Sequence, residues 1–365
     1  MYKVSIEPHW RISYGKNAAI DTALLLKLLS AIQSQGAIFQ AAKAVSLSYR
    51  HAWGLLREAE EIFGGTLLEK QRGRGTRLTH LATTLLWADK RIAARLSPTL
   101  ESLSSELETE LGKSVLGSHN TVRLIARHGF AVEALVKRII AAEVPVEFRY
   151  LSSTGAIAAL ARHECDLAGF HIPLGDFEAD AVRRFTRWLD PEQHCLIHLA
   201  ILNQGLFLAP GNPKNILSLT DLARPDVYFV NRQIGSGTRM LLEMLLEKAG
   251  VQPNEINGFD SEEFTHSAIA AYIASGMADV GFGVETAARR FGLDFIPLVQ
   301  ERYFFAAERE AMQKPPLRDV ITILQSEDFK KQVNQLVGYD ASDTGNILTL
   351  EEAFAHHTTE RAVAT

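Results

Sequence analysis

The stretch NRQIGSGTRMLLEMLLEKAG, residues 231–250, carries the most suggestive chemistry in the chain. Gly235, Ser236 and Gly237 run into Thr238, Arg239 and an apolar, helix-forming segment. The first turn of a helix leaves backbone N–H groups without intrahelical partners, and the helix dipole adds positive potential, so such a junction favours an anion. Gly235 and Gly237 permit close backbone approach, Ser236 and Thr238 add hydroxyls, and Arg232 or Arg239 would add charge. The lysine and spacing of a nucleotide P-loop are missing.

Other junctions repeat the theme. RHGF places His128 and Gly129 after one apolar run, and SSTG places Ser152, Ser153 and Thr154 after the next. GFHIP puts His171 at the end of a third, and FTHS puts Thr265, His266 and Ser267 before a helical segment. Each alone is an ordinary cap or core histidine; together at strand-to-helix junctions they predict a polar cleft that receives a small anion. Hydroxyls and amides suit a tetrahedral oxyanion such as molybdate or tungstate, while Phe130, Phe170 and Phe282 nearby suit a small organic acid. No nucleophile–base pair, metal spacing or paired carboxylates stand out, so neither catalysis nor a cofactor is expected.

The elements that must position these residues follow from residue 120 onward. TVRLIARHG, VPVEFRYLS and CDLAGFHI read as strands, with helices FAVEALVKRIIAAE and TGAIAALARHE between them. A second alternating set runs from DVYFVNRQ through AIAAYIASGMADVGFGVETAARRFG. Such alternation predicts an α/β architecture with mainly parallel strands. Two long β-like runs, LIHLAILNQGLFLAP and LDFIPLVQERYFFAAE, predict crossings between two lobes with the ligand between them.

The front of the chain differs in charge. Residues 1–90 hold 12 Lys/Arg against 7 Asp/Glu, whereas the whole chain is −5, so a basic head precedes an acidic body. That asymmetry suits a nucleic-acid-binding domain joined to something else. Leu24, Leu25, Leu28, Leu29 and Ile32 repeat at helical spacing and stop at Gly36. A short alanine-rich helix with Ala41, Ala42 and Ala44, a turn at Val45 and Ser46, and a longer helix ending at Gly64 complete a helix-turn-helix order. Ser48, Tyr49, Arg50 and His51 stand at the exposed start of the longer helix, while Trp53, Leu55, Leu56 and Phe63 read as core. TLLEKQRGRGTRLT then reads as a two-stranded wing bearing Arg72, Arg74 and Arg77.

GAIFQAAKAVSLSYRHAW and RLTHLATTLL, within residues 20–88, resemble the winged-helix domain of bacterial molybdate-responsive regulators and, more distantly, of LysR-type regulators. The resemblance implies binding of a double-stranded DNA operator as a dimer, with Ser48, Tyr49 and Arg50 on the recognition helix and Arg72 and Arg74 on the wing. The segments STGAIAALARHECDLAGFHIP, NRQIGSGTRMLLEMLL and HSAIAAYIASGMADVGFG, within residues 120–310, resemble the type II periplasmic-binding-protein domain of the molybdate- and tungstate-related branch. The small β-rich sensing domain of the molybdate-responsive regulators is absent.

Between the two regions, Leu81, Leu85, Trp87, Ile92, Leu96, Leu100, Leu103, Leu107 and Leu111 recur at spacings near three and four. This stripe predicts a homodimer, or a homotetramer built from it, and Pro98 is expected to interrupt the helix. The expected organisation is multidomain: an all-α winged helix-turn-helix domain in residues 1–79, a long linker helix and hinge in 80–118, an α/β two-lobed type II periplasmic-binding-protein-like domain in 119–345, and a tail in 346–365. Without an 18-residue apolar run or a secretory leader, the reading is a cytoplasmic regulator with no membrane partner. Cys165 and Cys195 read as buried thiols. An exported solute-binding protein and a molybdenum-cofactor-related protein are the alternatives for the same clamshell.

Overall fold

The structure, a computed structural model, describes residues 2–14, 20–71, 75–116 and 121–354. Arg72 and Arg74 of the expected wing therefore lie outside the described residues. Two compact units emerge, one formed by Glu7–Leu96 and the other by Ser97–Thr365 with Met1–Ile6. The division falls inside the linker helix rather than at either of its ends.

The first unit begins with a short antiparallel pair, β1 (Arg11–Ile12) and β2 (Ile20–Asp21), for which the sequence holds no clear signal. Helix α1 (Thr22–Gln35) is capped by the Asp21 carboxylate, which accepts from the Ala23 N–H at 3.0 Å, and it ends at Gly36. Helices α2 (Ile38–Ala44) and α3 (Tyr49–Phe63) follow, separated by a turn at Ser46, whose φ is 58°. Buried Ala41, Ala42, Ala52 and Ala59 let these helices approach Leu25, Leu28, Leu29 and Ile32 of α1. Strands β3 (Leu68–Gln71) and β4 (Gly75–Leu78) form an antiparallel hairpin. Gly75 is required there, because a Cβ would stand 2.4 Å from the Gly36 carbonyl oxygen. The unit is a winged helix-turn-helix, its wing the two-stranded hairpin expected from the sequence, so the unit is not all-α.

Helix α4 runs unbroken from His80 to Leu116 with Pro98 inside it. The expected interruption does not occur. Proline removes one backbone donor, but side chains stitch the same turns: Ser97 Oγ donates to Glu101 Oε1 at 2.5 Å, and Ser102 Oγ donates to the Pro98 carbonyl at 2.9 Å.

In the second unit, α4 from Ser97 is followed by β5 (Val122–Ala126), α5 (Phe130–Ala141), β6 (Val146–Tyr150), α6 (Ser153–Ala161), β7 (Leu167–Pro173) and α7 (Glu178–Thr186). The long strand β8 (His194–Leu208) leads to β9 (Phe229–Arg232), α8 (Gly237–Ala249), β10 (Glu262–Glu263), α9 (His266–Ala274), β11 (Val280–Val284) and α10 (Glu285–Arg290). A second long strand, β12 (Asp294–Glu308), then precedes α11 (Pro315–Gln325), α12 (Glu327–Asn334), β13 (Tyr339–Asp340), β14 (Ile347–Leu348) and α13 (Leu350–Ala353).

Strands β6, β5 and β7 are mutually parallel on one side, and β10, β9 and β11 on the other. The antiparallel pair β8 and β12 runs between the two sets, giving the order β10-β9-β11-β8-β12-β7-β5-β6. Both long β-like runs thus serve as the predicted crossings. Gly205 lets them pair closely: a Cβ on it would stand 1.9 Å from the Ile296 carbonyl oxygen. One lobe packs around Phe170, Leu160 and Phe304, the other around Phe229, Leu242 and Phe282. The expected tail at 346–365 is shorter than read, because β14 pairs with β8, and Leu350, Ala353 and Phe354 are buried.

The outer edge of the sheet at β6 is covered by α4. Ser105 Oγ accepts the Phe148 N–H at 2.9 Å, and Ser102 Oγ accepts the Tyr150 N–H at 3.1 Å. Two hydroxyls one helical turn apart thus satisfy alternate edge-strand donors and close an edge that would otherwise template pairing. Ser105→Ala leaves the buried Phe148 N–H without its acceptor, and urea unfolding should register a loss of about 1–3 kcal/mol. An unchanged midpoint would show that the hydroxyl contributes nothing to the edge.

Candidate functional site

The strand ends of both lobes converge on one arginine that no sequence motif singles out. Arg127 follows β5 directly and is 8% exposed. Its Nη2 donates to Thr238 Oγ1 and lies 3.1 Å from His266 Nε2. Thr238 is the second residue of α8 and His266 the first of α9, so a guanidinium of one lobe meets two helix N-termini of the other. Gly237, the first residue of α8, packs beside the guanidinium: a Cβ there would make an ordinary contact, 3.5 Å from Arg127 Nη1.

A cavity of about 80 Å³ opens beside this contact, enough for a few waters or one small ligand. One lobe lines it with Arg127, Ser152, Ser153, Thr154 and His171, and the other with Gly235, Gly237, Met240 and Leu241. Glu301, on the crossing strand β12 and only 3% exposed, completes the wall. Arg184 and Met240 approach across the lobes, with Arg184 Nη1 3.3 Å from the Met240 sulfur.

The electrostatics of this centre are lopsided. Burial first, and then the like charges of Arg232, Arg127, His171 and His128, hold the His266 imidazole well below its ordinary pKa. Burial and then Arg127 do the same to His171 and to Arg232. His128, pushed down to about 4 mainly by burial, stacks edge-on against Tyr150 at 5.0 Å and stays neutral near pH 7. Burial also lowers Arg127, partly offset by Glu301, yet a guanidinium keeps its proton. Among the described residues no carboxylate lies within 4 Å of Arg127. Two buried arginines and three neutral imidazoles thus cluster here, with Glu301 the buried acid of the cavity wall.

Several donors remain unspent. His171 Nδ1 and Arg232 Nε are buried without a partner, although Arg232 Nη2 donates to the Phe264 carbonyl at 2.7 Å. His266 Nδ1 accepts the Val284 N–H at 3.3 Å, so both of its ring nitrogens face donors while a neutral imidazole accepts through only one. Thr238 Oγ1 already accepts from Arg127, which leaves its own hydrogen to donate.

The sequence-named residues separate into groups. Ser152, Ser153, Thr154, His171 and Gly237 line the cavity, and Thr238 and His266 hold Arg127 beside it. Ser236 and Thr265 stand at helix starts as N-caps, accepting from the Arg239 N–H at 3.2 Å and the Ala268 N–H at 2.9 Å. Ser152 caps α6 in the same way through Gly155 at 3.1 Å. Arg232, buried, and His128, partly buried, lie near Arg127 without lining the cavity.

Arg239 requires a correction. Its guanidinium turns away, bonding Glu262 at 2.6 Å and Glu243 at 3.0 Å and lying 4.8 Å from the Phe259 ring. Pointing along its own helix, it reaches acids of its own lobe before any ligand. Sequence reasoning misses Arg127 and Glu301. The one signal for Arg127 is a charged residue closing the apolar run VRLIA; Glu301 sits inside a β-like run, where charge usually means a solvated face.

In the first unit, Ser48 Oγ caps α3 by accepting the His51 N–H at 3.1 Å, while Tyr49, Arg50 and His51 are exposed at the helix start. Arg77 is exposed on β4 opposite Glu69. Tyr49 lies between Phe39 and Trp53, 6.3 Å from each. Trp53, Leu55 and Phe63 are partly buried around a fully buried Leu56.

A two-lobed α/β unit with a basic cavity between its lobes defines a ligand-binding clamshell. Residues 138–325, just over half of the chain, match the PBP superfamily domain, and the chain belongs to that superfamily. It is 35% identical over 209 residues to the uncharacterized protein YvgK of Bacillus subtilis, covering 56% of this chain and 66% of that protein. Over 249 residues it is 26% identical to the HTH-type transcriptional regulator CbbR of Xanthobacter flavus, covering 68% of this chain and 65% of CbbR. The chain thus spans about two thirds of the length of these relatives. A mutant OxyR of Corynebacterium glutamicum, solved with bound H2O2, superposes with a TM-score of 0.42 at 15% identity, over 86% of this chain and 94% of that one.

If Arg127 is held ready for an anion rather than for the fold, removing its charge should cost the empty protein little. Arg127→Met should leave ligand-free urea stability within about 1 kcal/mol of the parent, or raise it, because an imperfectly compensated buried charge disappears. A loss of about 3–5 kcal/mol would identify Arg127 as a structural ion-pair partner instead.

Proposed function

We propose that this chain is a ligand-responsive, DNA-binding transcriptional regulator that senses a small anion between the lobes of its second unit. The observation that carries this reading is the buried Arg127 guanidinium set against the N-termini of α8 and α9 with no carboxylate within 4 Å among the described residues. Cation, helix dipoles and neutral donors all favour negative charge at that point. The effector class is small oxyanions of the molybdate or tungstate kind, then small organic acids. Ser153, Thr154, His171, Thr238 and the α8 N-terminus supply hydrogen bonds, and Arg127 supplies charge. Binding would favour the closed arrangement of the lobes, and any effect on DNA follows from that difference in affinity.

The first unit would read a double-stranded operator. Tyr49, Arg50 and His51 lie at the exposed start of α3, where a recognition helix meets base edges, and Arg77, with Arg72 and Arg74, supplies phosphate contacts. Leu96, Leu103, Leu107 and Leu111 on α4 are each 38–45% exposed, an apolar stripe suited to the same helix of a second copy. The assembly is a homodimer, or a homotetramer of such dimers. Similarity to CbbR supports the regulator reading.

A duplex selected by the protein from a random pool gives the first test. Arg50→Ala should bind it at least about tenfold more weakly without a change in melting temperature, and unchanged affinity would remove α3 from the DNA interface. Thermal unfolding against molybdate, tungstate, sulfate, phosphate and small organic acids gives the second. A bound anion at about 100 times its Kd stabilises by about 2.7 kcal/mol, and Ser153→Ala with Thr238→Ala should abolish that shift while leaving DNA binding intact. A normal shift in the double variant would place the site elsewhere.

A further inference from the structure

Arg127 is not alone on the cavity wall as a cation. Arg184, on α7 of the lobe packed around Phe170, lines the same cavity and is exposed. Its Nη1 meets the Met240 sulfur, on α8 of the other lobe, at 3.3 Å. A thioether is a weak and neutral acceptor, so this contact spans the lobes without answering the charge. Among the described residues no carboxylate lies within 4 Å of Arg184. Asp180, one turn earlier on the same helix and also on the cavity wall, pairs with Arg183 instead.

The inner wall makes a second cation matter. Arg127 and Glu301 share the cavity, while Arg232, the other buried arginine here, does not line it. A guanidinium with an acid on the same wall leaves little net charge for a doubly charged oxyanion, and neutral hydroxyls and N–H groups recover only part of the cost of drying one. A free guanidinium restores the balance. Its planar fork can bond two oxygens of a tetrahedral oxyanion at once, far more than a thioether offers it.

We infer that Arg184 is the outer cation of the anion site: it leaves Met240 for an oxyanion of the molybdate kind and so favours dianions over monocarboxylates. The inference rests on the anion reading of the cavity and deepens it. An anion at the α8 N-terminus belongs to one lobe, and Arg184 reaches it from the other. A charged bond across the lobes then replaces a weak one, and the closed arrangement gains by that difference.

Isothermal titration of the full chain with molybdate, sulfate and acetate tests this in two variants. Arg184→Gln removes the charge, and Met240→Leu removes the sulfur while keeping an apolar side chain of similar size. Arg184→Gln should weaken whichever dianion binds by at least about tenfold, the loss of a charge-assisted hydrogen bond, and acetate by about threefold or less. Met240→Leu should leave every affinity within about threefold. Should the glutamine variant fail to fold, Arg184→Lys, which keeps the charge without the fork, takes its place, with an expected loss of about threefold to tenfold for the dianion. Unchanged dianion affinity in the Arg184 variant, an equal loss for acetate, or an equal loss in Met240→Leu would overturn the role of Arg184 and leave the anion site standing. So would a protein that binds acetate and neither dianion. No binding of any of the three by the parent would overturn the anion reading and this inference with it.

Discussion

The arrangement of the second unit turns on one buried cation. Arg127 sits at the end of a parallel strand in one lobe and reaches the first turns of two helices in the other. Helix N-termini and a guanidinium are all positive, so their meeting is unfavourable unless something negative shares the space. Glu301 offsets part of it across the cavity, and the two neutralised histidines His171 and His266 lighten the rest. The buried guanidinium thus keeps an electropositive centre between the lobes.

That meeting is possible because of the two crossing strands. β8 and β12 run antiparallel through both lobes, and Gly205 lets them approach where a side chain would strike the Ile296 carbonyl. Glu301 and Gln204 ride on these strands, and Glu301, bonded to Gln204, also bounds the cavity. At the outer edge of the sheet, Ser102 and Ser105 of α4 accept N–H groups of β6, so this part of the long helix is held to the second unit by hydrogen bonds.

Much of this is readable in the residues. Helical repeats, the Gly36 and Gly64 stops and the alternation of strands and helices follow local rules, and the elements stand where those rules put them. SSTG and His171 of GFHIP line one cavity with Gly235 and Gly237, and His266 of FTHS shares Arg127 with Thr238, because parallel strands deliver their carboxyl ends to one side of a sheet. The expectation at Pro98 fails because it weighs a single lost backbone donor without the serines that brace the neighbouring turns.

What the sequence determined by itself was the set of elements, the basic head, the two lobes and the donor-rich junctions between strand and helix, all properties of neighbours a few residues apart. Which arginine serves those junctions was decided only by tertiary structure. Arg239 and Arg127 look alike in the chain, but one folds back onto Glu243 and Glu262 of its own lobe while the other crosses between lobes. Glu301, remote in sequence from every junction, becomes part of the site only when β12 passes between the lobes. Direction and distance between side chains more than a hundred residues apart depend on packing, and no local pattern encodes them.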